Sequence, residues 1–213
     1  MKTVAFVPVR LNSKRVVGKN LKLLGGKPLM CWILETLVQV EGIDEVYLYC
    51  SNEQVKTYLP QGVRFLQRPE SLDSDETLGE TIYDEFTRTI DADIYILAHT
   101  TSPFIKVQTL QQALHQVQGG EYDSAFSVER LQTFAWYRGK PLNYSLQHVP
   151  RTQTIEPIMV ETSAFYMFRS EIWKQHRQRI GFHPWMAEVD RVEGLDIDWP
   201  NDFAFAETVV GKL

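Results

Sequence analysis

The chain has 213 residues, 44% of them hydrophobic and 23% charged, with a formal net charge of -5. That length suits one domain with one sizeable core, and the acidic balance excludes the broad basic face of a nucleic-acid or acidic-membrane binder. No apolar run approaches a membrane span, and the two cysteines, Cys31 and Cys50, form neither a disulfide framework nor a paired metal motif, which points to a reduced cytoplasmic setting.

The run TVAFVP (residues 3–8) predicts a buried strand. Directly after it, Arg10, Lys14, Arg15, Lys19, Lys22 and Lys27 crowd a loop punctuated by Gly18, Gly25 and Gly26. Such a concentration of cations in an acidic chain implies a local anionic partner. In an open parallel sheet, ligands settle beyond the carboxyl ends of the strands, where the first loop cradles phosphate. Arg10 and Lys19 are suited to neutralising a triphosphate. The loop is not a Walker A motif, since Ser13 and Asn20 stand where that motif needs glycine and a Ser/Thr, and GxGxxG spacing is absent.

Further along, KPLMCWILETLVQV (27–40) has helical spacing with Pro28 in its first turn. EVYLYC (45–50) and VRFLQ (63–67) read as strands around a short helix, NEQVKTYL, and the turn-rich RPESLDSDET leads to a helix over 77–90. DIYILAH (93–99) is strongly strand-like and ends in TTSPF, and VQTLQQALHQV (107–117) is a helix followed by the strand DSAFSVE (123–129). Between about 131 and 157 the alternation breaks into an aromatic and proline-rich stretch that predicts an arm. Exposed apolar surface of that kind seeks a second copy, so a homodimer is expected. SAFYMF (163–168), SEIWKQHRQ (170–178) and VEGLDID (192–198) then read as strand, helix and last strand, feeding a helix over 200–210. The alternation predicts an α/β fold, a mostly parallel sheet flanked by helices.

Asp196 and Asp198 stand at i and i+2 in that last predicted strand, so both carboxylates project from one face and can converge on a hard cation such as Mg²⁺. The alternative is that Asp198 starts the final helix, with Asp202 in its first turn.

The run VPVRLNSKRVVGKNLKLLGGKPL resembles the signature loop of the CMP-sialic acid synthetase (acylneuraminate cytidylyltransferase) family, with Arg10, Ser13, Lys14, Arg15, Gly18, Lys19, Asn20, Gly26, Lys27, Pro28 and Leu29 matching in register. Val17 replaces the usual proline. QRPESLDSD, TSPF, ETSAFYMF and GLDIDWPNDFAFAE resemble later family segments in the expected order, so the resemblance spans nearly the whole chain. It implies a Rossmann-like nucleotidyltransferase that joins CMP from CTP to a sialic or related nonulosonic acid, with Mg²⁺ as cofactor and pyrophosphate as product.

By the same resemblance, Arg10 and Lys19 hold the triphosphate, Asp196 and Asp198 hold Mg²⁺, and Arg10, Lys19 and Asp198 are the catalytic set. Arg68, with its neighbours Pro69 and Asp75, contacts cytosine or ribose, while Ser13 and Asn20 orient the loop or meet the base. On the acceptor side stand His99, Ser102 and Glu161, together with Arg151 and Gln153 of the arm. Arg151 is expected to clamp the sugar carboxylate, across a dimer interface. Here the chain departs from the pattern: His99 replaces a glutamine, Ile105 stands where an arginine follows the TSP motif, and Thr162 and Ser163 stand where asparagine and glycine are common. The rival readings are transfer to another sugar acid or a sugar phosphate, and a non-catalytic nucleotide-binding module.

Overall fold

The computed structural model describes residues 1–212. β1 (Thr3–Val9) is followed by the basic loop, which closes through a small hairpin of β2 (Leu23–Leu24) and β3 (Lys27–Pro28) onto α1 (Leu29–Leu37). Then come β4 (Glu45–Cys50), β5 (Val63–Gln67), α2 (Gly79–Thr89), β6 (Ile94–Ala98), α3 (Val107–Gly119) and β7 (Ser124–Leu131). The arm carries β8 (Trp136–Tyr137) and β9 (Lys140–Pro141), and the chain ends with β10 (Ile158–Arg169), α4 (Ser170–His176), β11 (Pro184–Val189) and α5 (Pro200–Val210).

The main sheet has seven strands in the order β11-β7-β10-β6-β1-β4-β5. β10 runs antiparallel to both of its neighbours, and the other pairings are parallel. From β1 the chain moves outward through β4 and β5, then returns to place β6 on the other side of β1. The strand order therefore reverses between β1 and β6, and a crevice opens beyond their carboxyl ends.

Strand alternation sends Ala5, Val7 and Val9 to a core face packed by α1 and α3, and Val4 and Phe6 to an aromatic face shared with Tyr83, Phe86 and Trp173. Phe6 stacks on Phe86 with centroids 4.1 Å apart. A third, smaller cluster joins Val16, Leu24, Leu29, Phe104, Ile197, Phe203 and Ala206. It fastens the basic loop, the segment after TTSP and the aspartate segment to α5.

One expectation from the sequence needs correction, and one strand was not foreseen. VEGLDID is not a strand: it turns at 191–194 and then runs extended without a ladder, held by Ile197 N–H on the Thr101 carbonyl at 2.8 Å. The sheet edge is instead filled by β11 beside β7. Its leading proline obscures it in sequence, yet proline is tolerated at the first residue of an edge strand, and Ala187 and Val189 bury on alternate positions. No helix among the described residues is long and apolar enough to cross a membrane.

Candidate active site

Backbone chemistry shapes the opening loop. Gly18 adopts φ 63° at the start of a single helical turn over Lys19–Leu21, a left-handed conformation that costs a side chain steric strain. Gly25, at φ 60°, passes so close to α5 that an added Cβ would collide with Val210. Val16 is buried and Val17 is exposed, so the position where proline is usual faces outward.

The loop's six cations divide into three pairs. Lys22 lies 3.8 Å over the Phe203 ring and Lys27 4.0 Å over Trp32, so these two serve the scaffold. Arg10 donates to Asp75 at 2.7 Å, and Lys14 pairs with the other oxygen of the same carboxylate. The Lys14 ammonium, and then Arg10, hold the Asp75 carboxyl below its usual range. Arg15 grips Asp198 with both terminal nitrogens at 2.8 Å, and Lys19 Nζ lies 3.6 Å from the same carboxylate while donating to the Ile197 carbonyl at 2.8 Å. Burial pulls the Lys19 ammonium's pKa down, against the raising effect of Asp198.

Asn20 is buried and uses both ends of its amide: Nδ2 donates to the Arg10 carbonyl at 2.7 Å, and Oδ1 accepts from Thr100 at 2.6 Å. Of its two expected roles, the geometry supplies loop orientation. Ser13 sits half-buried in the same loop.

Asp196 is half-buried and its Oδ1 has no hydrogen-bond partner. Burial raises its carboxyl pKa, with the neighbouring Asp198 charge adding to the rise. A buried carboxylate oxygen left without a donor, two residues from a second carboxylate, suits a hard cation. Among the described residues, no group of three or more His, Cys, Asp or Glu side chains gathers into a closed metal cage. Mg²⁺ needs none where phosphates supply the remaining ligands. Asp202 accepts from the Asp198 and Trp199 N–H groups at 3.0 and 2.7 Å, so it is committed to starting α5.

Arg68 is 2% exposed and pairs with Asp73, while its Nε is left unpartnered. Asp73 also accepts from Ser51 at 2.5 Å, and its carbonyl accepts from Asn12 at 3.1 Å. Arg68 thus pairs with Asp73, while Asp75 of the same turn belongs to Arg10 and Lys14. Asp73, Asn12 and Ser51 were missed in sequence, although Ser51 directly follows a strand at the edge where ligands collect. Together with Leu11, Asn52 and Glu70 they line a cavity of about 650 Å³ beside the opening loop.

On the acceptor side, His99 Nδ1 donates to the Ser163 carbonyl at 2.6 Å, and burial lowers the ring's pKa, which leaves Nε2 unprotonated. Ser163 adopts φ 59° at the irregularity where β10 shifts register against β7. Glu161 accepts from Tyr166 at 2.8 Å. Ser102 is fully buried with its hydroxyl unpartnered. Arg151 and Gln153 lie exposed in a turn of the arm, and among the described residues neither side chain bonds to the opening loop.

Contacts thus tie Lys19 and Asn20 of the opening loop to the Arg10 carbonyl, to Thr100 and to the segment that carries Asp196 and Asp198, while Arg68 pairs separately with Asp73. The Ser102 N–H bonds the His99 carbonyl, and Tyr166 touches both His99 and Glu161. Three of the four buried polar side chains with an unpartnered atom, among the described residues, belong to sites chosen from sequence: Arg68, Ser102 and Asp196.

Solved structures with this fold include that of CMP:2-keto-3-deoxy-manno-octonic acid synthetase complexed with CTP, at TM-score 0.70 and 18% identity over 100% of this chain and 99% of that one. A 2-C-methyl-D-erythritol 4-phosphate cytidylyltransferase from Thermus thermophilus superposes at TM-score 0.65 and 14% identity, covering 99% of this chain and 100% of that one. In sequence, the chain is 26% identical over 209 residues to the N-acylneuraminate cytidylyltransferase A of Danio rerio, covering 92% of this chain and 49% of that protein. It is 24% identical over 226 residues to the CMP-N,N'-diacetyllegionaminic acid synthase of Legionella pneumophila, covering 99% and 97%. The chain spans about half the length of the first curated relatives it matches. A family model described as Cytidylyltransferase matches residues 4–212, almost the whole chain, and the chain belongs to that family.

Proposed function

We propose that this protein transfers the cytidylyl group of CTP to the anomeric hydroxyl of a sialic acid or related nonulosonic acid and releases pyrophosphate. The observation that carries the reading is the junction at Asp198. There the basic loop after β1 and the acidic segment before α5 meet, beside the unpartnered Asp196 oxygen and at the point where strand order reverses.

In the transfer, the acceptor oxygen forms a bond to the α-phosphorus, the bond from that phosphorus to the β-phosphate bridge breaks, and the hydroxyl loses its proton. Such a reaction needs charge neutralisation and positioning more than covalent help from the protein. Arg10 and Lys19 neutralise the triphosphate, and Arg68 with the cavity around Asn12, Ser51 and Asp73 receives the base and ribose. Asp196 and Asp198 hold Mg²⁺, which when bound offsets charge at the α-phosphate. His99, Ser102 and Glu161 line the acceptor side, and a second copy of the chain carries Arg151 and Gln153 to it.

Pyrophosphate release from each of the four nucleoside triphosphates, against a panel of nonulosonic and eight-carbon keto acids, tests the reading. CTP with a nonulosonic acid is expected to be the productive pair. Tight CTP binding without turnover on any acceptor would support a nucleotide-binding module instead.

A further inference from the structure

Arg179, in the loop after α4, has a setting unlike that of the loop cations. Its guanidinium carbon lies 3.8 Å from the Tyr166 ring centroid and its Nη1 3.5 Å from the Tyr83 hydroxyl. The residue is half-buried, and among the described residues no carboxylate lies within ion-pair distance of it, whereas Arg177 nearby is paired with Asp84. It borders a cavity of about 480 Å³ lined by Leu78, Tyr83, Trp173 and Ile180, with Glu80 in the same lining but not bonded to it. An arginine stacked on an aromatic face keeps its in-plane N–H donors available to a planar anion.

Tyr166 connects this cation to the acceptor side. Its hydroxyl bonds to Glu161 at 2.8 Å and lies 3.2 Å from the Ser163 hydroxyl, and its ring meets His99 edge-on with centroids 6.2 Å apart. Tyr166 therefore stands between Arg179 on its ring face and Glu161, Ser163 and His99 around its hydroxyl and ring edge. We propose, on the footing of the cytidylyl-transfer reading above, that Arg179 binds the carboxylate of the acid-sugar acceptor within its own subunit.

The test compares Arg179→Ala and Arg179→Lys with wild type, using the acid sugar and its methyl ester. Losing a charge-assisted bidentate contact should raise the acceptor KM roughly 10- to 100-fold in Arg179→Ala. CTP affinity by calorimetry should stay unchanged, and the wild-type preference for acid over ester should disappear. Arg179→Lys should recover part of that preference. An unchanged acid-over-ester preference in Arg179→Ala, or an equal loss of CTP affinity, overturns the assignment. A wild type that binds the acid sugar without releasing pyrophosphate refutes transfer, and the acid-over-ester difference in calorimetric affinity then still decides Arg179. Failure of the wild type to bind any acid sugar overturns the assignment as well.

Discussion

Asp198 is gripped by Arg15 and approached by Lys19, whereas Asp196, two residues earlier, keeps a buried oxygen without a donor. The two aspartates should therefore fail differently. Asp198→Asn is expected to cut kcat by about a hundredfold or more, the scale of a lost transition-state electrostatic contact. Asp196→Asn should lose turnover that high Mg²⁺ partly restores, as read by pyrophosphate release against Mg²⁺ concentration. Asp202→Asn belongs to the helix start and should cost about 1 kcal/mol of stability in urea unfolding, with metal dependence unchanged. Arg68 presents a related case, since it is only 2% exposed and pairs with Asp73 through Nη2 while its Nε keeps a free donor. Lysine cannot reproduce that geometry, so Arg68→Lys should weaken CTP binding by roughly tenfold in calorimetry while leaving acceptor KM alone.

Among the elements, the turn before the aspartate segment decides where those carboxylates go. Asp190 Oδ1 accepts from the Val192 and Glu193 N–H groups at 2.9 Å. Glu193, 3% exposed, accepts from the Lys106 backbone N–H at 3.0 Å and also bonds Thr109 and the Lys106 ammonium. The turn is thereby bolted to the start of α3. Glu193→Ala leaves those donors unmet and should cost about 1–3 kcal/mol while raising the Mg²⁺ requirement, since Asp196 follows three residues later. The same turn has a pH signature. The Glu193 N–H, and then Lys106, hold the Asp190 carboxyl below its ordinary pKa. Its contribution is therefore fully present above the unfolded value near 3.9 and is lost as pH falls through the lower folded value. Acid titration of unfolding free energy should fall less steeply in Asp190→Asn than in wild type.

For the whole molecule, the arm is the feature a lone subunit does not explain. Its hairpin turns through Arg138 and Gly139, both at positive φ, and Asn143 ties it together by donating to the Thr133 and Glu156 carbonyls at 2.9 and 2.8 Å. It nevertheless leaves Trp136 55% and Leu146 64% exposed. Paired apolar surface of this kind favours a twofold dimer. Sedimentation at micromolar concentration should give a dimer, and a double Trp136→Ser, Leu146→Ser variant should shift it toward monomer. A fully active wild-type monomer would refute both the dimer and the passage of Arg151 to a neighbouring site.

The amino-acid sequence alone determined the α/β architecture, because strands of period 2 and helices of period 3.6 leave local marks that survive without tertiary context. It also marked the basic loop, since clustered charge beside a glycine-rich turn is a local anomaly in an acidic chain, and it raised both aspartates by their i, i+2 spacing while leaving a helix start as the alternative. What it could not contain was pairing across distance. That Asp75 belongs to Arg10 and Lys14, Asp73 to Arg68, and Asp198 to Arg15 depends on how crossovers return separate segments to one edge, and no spacing along the chain records this. The aspartate segment keeps the alternation of a strand, with Ile197 buried between two half-buried aspartates, because an extended backbone alternates whether or not it has a ladder. Whether it joined the sheet was decided by β11, which took the edge, and by the buried cluster around Ile197, which drew the segment over the strand ends instead.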